Sequence, residues 1–237
     1  MSRLRLGDIT VDVVLKDIKN VHLSVYPPTG RVRISAPSHM SMATIRVFAI
    51  SKLAWIRKQQ ARLEGQARET PRDFIDRESH YVWGQRYLFQ VVEREGAPSV
   101  ALKGNKMTLS VRPGTGTDKR NSILEEWYRE QLKTDTPALL VRWEPRLDVI
   151  VDRLHVQRMK TKWGSCNADK RSIRLNTELA RKPRECLEYL VVHEMVHLLE
   201  RTHGPAFVSL MDRHLPNWRT RRDQLNAFPL AHAEWRY

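Results

Sequence analysis

Short alternations of apolar and polar positions fill the first part of the chain. Residues 11–15 alternate loosely, while 21–26 and 32–36 alternate clearly. A period of two puts every second side chain on one face and predicts strands. Pro27-Pro28-Thr29-Gly30 reads as hairpin punctuation, and Pro37 ends the second strand. From about Ser41 to Leu63 the spacing becomes helical, with Ile45, Phe48, Leu53, Trp55 and Ile56 on the apolar faces. Residues 65–73 are polar, contain Pro71 and keep no period, so they read as a linker.

A second strand-rich stretch follows, with candidates at 87–92 and 107–111 between glycine-containing turns, closed by Pro113-Gly114-Thr115-Gly116. A long amphipathic helix is expected from about Lys119 to Trp143, using Ile123, Leu124, Trp127, Leu132 and Leu139, with Pro137 bending or splitting it. Residues 154–159 look extended, 163–167 look like a loop, and 172–176 return as a strand. A helix from Pro183 to about Glu200 and another from Gly204-Pro205 through His214 complete the pattern. No internal repeat stands out. The chain is therefore expected to be α+β, with a small strand-rich N-terminal portion carrying a helix over 1–116 and a separate core over 117–237.

Composition narrows the setting. The 237 residues are 41% hydrophobic, enough to bury a good core. The start, Met1-Ser2-Arg3-Leu4-Arg5-Leu6, has no apolar signal region, and runs such as 137–141 are far too short to span a bilayer, so no membrane partner is expected. Cys166 and Cys186 do not make a disulfide scaffold, and a reducing cytoplasm fits them best. Lys plus Arg number 41 against 27 acids, for a net charge of +14. Such a field favours polyanions, so a nucleotide or nucleic acid enters as a possible partner, although no zinc-finger, homeodomain or RNP-type signature accompanies it.

The chemistry gathers near the end. His193-Glu194-Met195-Val196-His197 places two imidazoles four residues apart on one helix face, and His203 follows beyond the expected helix end. Three imidazoles holding Zn2+ leave one position open, the arrangement of a catalytic rather than a structural site. Glu194 lies between the helical pair, where it can deprotonate a water on the ion. Glu200 is a rival third ligand, or a partner that orients an imidazole. Cys166 and Cys186 lack Cys-x-x-Cys spacing and read as ordinary small apolar residues. Tyr189, one turn before His193, could line the pocket, and His155 and His214 could polarise a substrate. The strand at 172–176 either offers an exposed edge to an extended peptide or is a core strand with its edge covered.

Lys162-Trp163-Gly164-Ser165-Cys166, Ile173-Arg174-Leu175-Asn176, the motif at 193–197, His203-Gly204-Pro205-Ala206-Phe207 and Pro216-Asn217-Trp218 together resemble the YgjP-like predicted metal-dependent hydrolases. That group belongs to the zincin-type metallopeptidases and is related to SprT-like proteins. The strand pair near 21–36 and the Trp55-containing helix are similar as well, so the resemblance covers most of the chain. It implies a minimal zincin-like core with the metal motif on a helix, His193, His197 and His203 as zinc ligands, and Glu194 as base. Gly204 stands where the family usually has serine, and Glu200 occupies the glycine position of the metzincin consensus, so the path after the second histidine should differ from theirs. The first functional reading is a metallopeptidase-like hydrolase acting on a peptide or protein. A nucleoside triphosphate phosphohydrolase of pyrophosphatase type is the alternative, with Arg158 or Arg174 neutralising phosphate. A third reading, a nucleic-acid-associated protein with a structural zinc, requires a fourth protein ligand.

Overall fold

The computed structural model describes residues 2–26, 30–64, 78–159 and 162–227. The punctuation expected at 27–29 and the linker expected at 65–73 lie outside the described residues. Those described fall into two compact units, 2–64 and 78–227.

In the first unit, strands β1 (Ser2–Leu6), β2 (Ile9–Lys16), β3 (His22–Tyr26) and β4 (Arg31–Pro37) form a sheet of order β1-β2-β4-β3. Its inner positions, among them Leu4, Val11, Val13, Val32 and Ile34, pack against Ile45, Ala49 and Ile56 of two helices. Those helices are α1 (Met42–Ser51), capped by the Ser41 hydroxyl accepting from Thr44 N–H, and α2 (Leu53–Glu64). The single helix expected over 41–63 is thus broken at Lys52. There the Ser51 hydroxyl donates to Phe48 O at 2.8 Å and the Lys52 N–H turns back to Ala49 O at 3.1 Å.

The second unit begins with β5 (Ser79–Val82), β6 (Gln85–Glu93), β7 (Ser99–Lys103) and β8 (Lys106–Val111), in the order β5-β6-β8-β7. This repeats the first sheet's topology: an antiparallel hairpin, a parallel crossover pair and a second antiparallel hairpin. Gly7 and Gly84 hold positive φ in the corresponding first turns. The repeat shows in strand order and turns rather than in residue identities, which is why the sequence did not display it.

Helix α3 (Thr117–Leu147) runs unbroken through Pro137. Both Pro137 and Lys133, whose carbonyl the proline leaves without an amide partner, are exposed, so water can satisfy that group. The β5–β8 sheet buries Val82, Phe89, Met107 and Leu109 in the same core as Leu124 and Tyr128 of α3. That shared core is why the division falls before residue 78 and not after the expected 116.

The remaining elements are β9 (Arg153–Gln157), β10 (Gly164–Asn167), β11 (Ser172–Asn176), a 3-10 helix (Thr177–Arg181), α4 (Arg184–Val196), α5 (Pro205–His214) and α6 (Trp218–Ala227). The β5–β6 turn fixes the start of α4. Trp83 N–H donates to Ala180 O at 2.8 Å, and a Cβ on Gly84 would meet Pro183 Cγ at 2.8 Å. Buried Arg181 ties the 3-10 helix to α3 through Glu178 and Glu125, at 3.0 and 3.2 Å. Glu188 of α4 gathers Arg142, the Trp143 indole N–H (3.2 Å) and Arg221 (2.5 Å), binding α3, α4 and α6 together.

This last junction is testable. Glu188→Ala leaves two guanidinium groups and an indole N–H without their acceptor, and should lower unfolding free energy by about 2–3 kcal/mol. Glu126→Ala, which breaks only the exposed pair with Arg129, should cost less than about 0.5 kcal/mol. Urea unfolding of the two variants checks the contrast, and equal losses would mean Glu188 is no hub.

Candidate metal centre

Helix α4 ends sooner than its pattern suggests. His197 is its C-cap, and three amides after it fold back: Leu198 to Met195 O, and Leu199 and Glu200 to Val196 O, all within 2.9–3.0 Å. This tight turn brings His203 back over the helix. His203 Nε2 lies 3.1 Å from His193 Nε2 and 3.1 Å from His197 Nε2. Among the described His, Cys, Asp and Glu residues, these three form the one group whose donor atoms all lie within 4.8 Å of each other. Neighbouring nitrogens around a tetrahedral ion with bonds of about 2.0–2.1 Å stand about 3.3 Å apart, so the donor set fits a metal.

Two of the imidazoles are held from behind. His197 Nδ1 donates to the Glu200 carbonyl at 2.9 Å, which puts the Nε2 lone pair toward the other rings. Glu200 thus orients a histidine through its main chain, while its carboxylate accepts from Thr202 N–H and Oγ1 at 3.0 and 2.8 Å. The Tyr189 hydroxyl stands 3.5 Å from His193 Nδ1, and its ring stacks on Trp218, whose indole donates to Asp212 at 2.7 Å. Phe207, fully buried, closes the floor, with its ring centre 4.7–4.9 Å from all three imidazoles. Burial, and then the neighbouring His197 and His203, press the His193 pKa down to about 3, keeping that ring neutral. A neutral ring is the metal-binding form.

Glu194 faces Gly164 of β10 and is only 4% exposed. Burial raises its pKa to about 8, against a smaller opposing pull from the charge of Lys162. It fits there because residue 164 is glycine. A Cβ on Gly164 would stand 2.6 Å from Glu194 Oε1 and 3.1 Å from the Arg174 carbonyl.

Of the two readings of 172–176, the covered strand holds: β11 is the middle strand of the order β10-β11-β9. Within the loop expected at 163–167, Gly164–Asn167 forms strand β10. The free edge belongs to β10. Asn176 N–H donates to Trp163 O at 2.8 Å, one residue before Gly164 pairs with Leu175. Pairs alternate along an antiparallel ladder, so the N–H and C=O groups of Gly164 and Cys166 face away from β11. Among the described residues nothing pairs with them as a strand.

Gly164, Cys166 and Asn167 form one wall of a cavity of about 500 Å³, and His193, Glu194 and His203 form another. Lys162 and Arg201 also line it, and Arg201 is held by Asp169 at 2.6 Å. Cys166 is a thiol whose pKa is pushed up to about 11 by burial and by Glu194, and Cys186 is buried in the core. Tyr189, His155, His214, Arg158 and Arg174 are not in the lining. Sequence spacing found the three histidines and Glu194. It missed Lys162, Gly164 and Phe207, although all three stand in the stretches that carry the family resemblance.

The description of the family model that matches residues 19–228 is YgjP-like, metallopeptidase domain. No curated protein matches the chain. Among solved structures, the crystal structure of the metallopeptidase zymogen of Pyrococcus abyssi abylysin is 18% identical, with 38% of this chain and 90% of that chain covered and a TM-score of 0.36. That of Methanocaldococcus jannaschii jannalysin is 19% identical, with 38% and 96% covered and a TM-score of 0.33.

Two outcomes follow from the site's geometry. Because the folded pKa of Glu194 is raised from 4.5 to about 8, metal-free protein gains stability from this proton below about pH 4.5 and loses it as the pH rises through 8. Between pH 5 and 8 the chelator-treated wild type should therefore lose stability relative to Glu194→Gln, by a few kcal/mol in order of magnitude. Parallel pH profiles of thermal unfolding would contradict this. Gly164→Ala forces the carboxylate or the strand to move and should cost about 1–3 kcal/mol while metal uptake persists. A variant as stable as the wild type would show that the close approach is unimportant.

Proposed function

The chain belongs to the YgjP-like metallopeptidase family, and on that footing we propose that it is a zinc-dependent hydrolase of peptide bonds, with His193, His197 and His203 as ligands and Glu194 as general base. The observation that carries this reading is the convergence of three imidazole nitrogens within 4.8 Å, beside a buried carboxylate and, among the described residues, an unpaired strand edge. Bound zinc would supply Lewis acidity, polarising a carbonyl and acidifying the attacking water.

The protein's own groups do the rest. A substrate in extended conformation pairs its main chain with the outward N–H and C=O groups of Gly164 and Cys166, adding a strand to β10. That pairing lays the scissile carbonyl beside His193 and Glu194, which share the cavity with β10. Glu194 takes the proton from water as its oxygen adds to the carbonyl carbon, then delivers it to the departing amine nitrogen. Its raised pKa suits both halves of the task, since a group near neutrality can accept and release a proton in one turnover. Phe207, Tyr189 and the Glu200 carbonyl hold the imidazoles so that little reorganisation accompanies the reaction.

The cavity's lining favours peptide over nucleotide. Two cations line it, Lys162 and Arg201, and Arg201 is already paired with Asp169, whereas a triphosphate site would gather several free cations. Among the described residues the group has three donors, which argues against a closed structural zinc with four protein ligands.

Metal content and turnover test the assignment together. Wild type and Glu194→Gln should both bind one equivalent of zinc. The variant should lose peptide turnover by about a thousandfold or more, taking general-base catalysis at 10²–10⁴-fold, and neither should hydrolyse nucleoside triphosphates. Triphosphate hydrolysis lost in Glu194→Gln would move the assignment to a phosphohydrolase, and absence of stoichiometric metal would overturn it.

A further inference from the structure

Resting on the metallopeptidase reading, we propose that Lys162 is a further catalytic residue: its ammonium group donates a hydrogen bond to the substrate carbonyl oxygen as that oxygen becomes negative. In this step the water oxygen adds to the carbonyl carbon and the C=O π pair moves onto oxygen. The water's proton goes to Glu194 and then to the amine nitrogen as the C–N bond breaks. Lys162 keeps its own proton throughout and supplies only stabilisation.

The cations of the cavity point to this residue. The carbonyl oxygen needs a donor besides the metal, because preorganised donors aimed at developing charge carry much of the rate in acyl transfer. The outward amides of Gly164 and Cys166 are taken by the substrate's main chain. Arg201 is held by Asp169 at 2.6 Å. The Tyr189 hydroxyl is next to His193 Nδ1 and outside the cavity lining. His155 and His214 are also outside it. Lys162 lines the cavity with Glu194 and all three histidines, and among the described residues no carboxylate forms an ion pair with it. It is a cation in the reaction cavity with its donors free.

Its placement is built. Buried Asn176 donates its side-chain amide to Lys162 O at 2.8 Å and to Met159 O at 2.9 Å. The same side chain accepts from Glu178 N–H at 3.2 Å, anchoring it at the start of the 3-10 helix. Lys162 therefore enters the cavity from a pinned main chain, two residues ahead of the Gly164 position that abuts Glu194. Lys162 and Glu194 line the same cavity.

The test uses zinc-loaded full-length protein, Lys162→Met and Lys162→Arg, with zinc content confirmed equal. Two peptide probes of matched sequence are titrated: a phosphinic peptide, whose anionic tetrahedral group imitates the charged oxygen, and a peptide thiol, which binds the metal with no such oxygen. Lys162→Met should weaken the phosphinic probe about a hundredfold and leave the thiol nearly unchanged. In peptide turnover kcat should fall by a similar factor with KM little altered, and Lys162→Arg should recover part of both. Unchanged phosphinic affinity and kcat, or equal weakening of both probes, would overturn the role of Lys162 while leaving the peptidase reading in place. A wild type that cleaves no peptide and binds neither probe would overturn the peptidase reading itself and this inference with it.

Discussion

The burial of α4 is the constraint around which the second unit is arranged. Nine of its residues are buried, from Cys186 through Val196, and Glu194 is one of them. A helix packed this completely cannot rock, so side chains projecting from its last turn are fixed in direction. It also leaves few places for polar groups. Those that exist are each committed: Glu188 to the junction of α3 and α6, and His193 to the cavity with β10. The cavity opens along the stripe of α4 that faces the edge strand, where a flat glycine replaces a packed side chain.

Burial of this kind sets up a conflict that the site uses. A carboxylate removed from water prefers to be neutral, and burial and neighbouring rings disfavour the charged forms of His193 and His203. One bound cation would suit both. The surrounding shell is built to hold the arrangement regardless, through contacts reaching far from the reacting atoms. Asp212 holds the Trp218 indole, Trp218 stacks on Tyr189, and Tyr189 backs His193. This explains why Pro216-Asn217-Trp218 travels with the metal motif in the resemblance, although Trp218 does not line the cavity. It acts two contacts away.

What the sequence revealed and what it hid divide by the distance over which each feature is written. The spacing of His193 and His197 is local to one helix, and His203 follows after a short turn, so the cluster could be read from the residues themselves. The stretches with clear alternation, 21–26 and 32–36, were equally legible. β10 was not. Trp163-Gly164-Ser165-Cys166-Asn167 has no apolar period, and it becomes a strand because β11 offers it a ladder eight residues later. The free edge of β10 went unread for the same reason: 172–176 has the better strand pattern because it is the more buried strand. The division of the chain followed suit. Residues 78–111 resemble the first sheet in order, yet their apolar faces pack on α3 and the elements around α4, a pairing that no local pattern records. Gly164 looked like loop punctuation, and only the carboxylate opposite explains it.

The excess of positive charge, the one compositional signal that favoured polyanions, has no counterpart in the cavity. There Lys162 and Arg201 face Asp169 and Glu194, two cations against two acids. Much of the surplus sits in the first unit instead, where residues 1–69 carry twelve Lys and Arg against five Asp and Glu. On the sheet there, Arg3 and Arg31 converge on Asp12 and Arg33 lies over Tyr26, while the opposite face packs on the helices. A field distributed in this way acts on solubility and encounter, not on the choice of bond to be broken. The peptide reading rests instead on the wall of β10, whose outward amides and carbonyls suit a main chain, and the role proposed for Lys162 rests on its place in the lining of the same cavity.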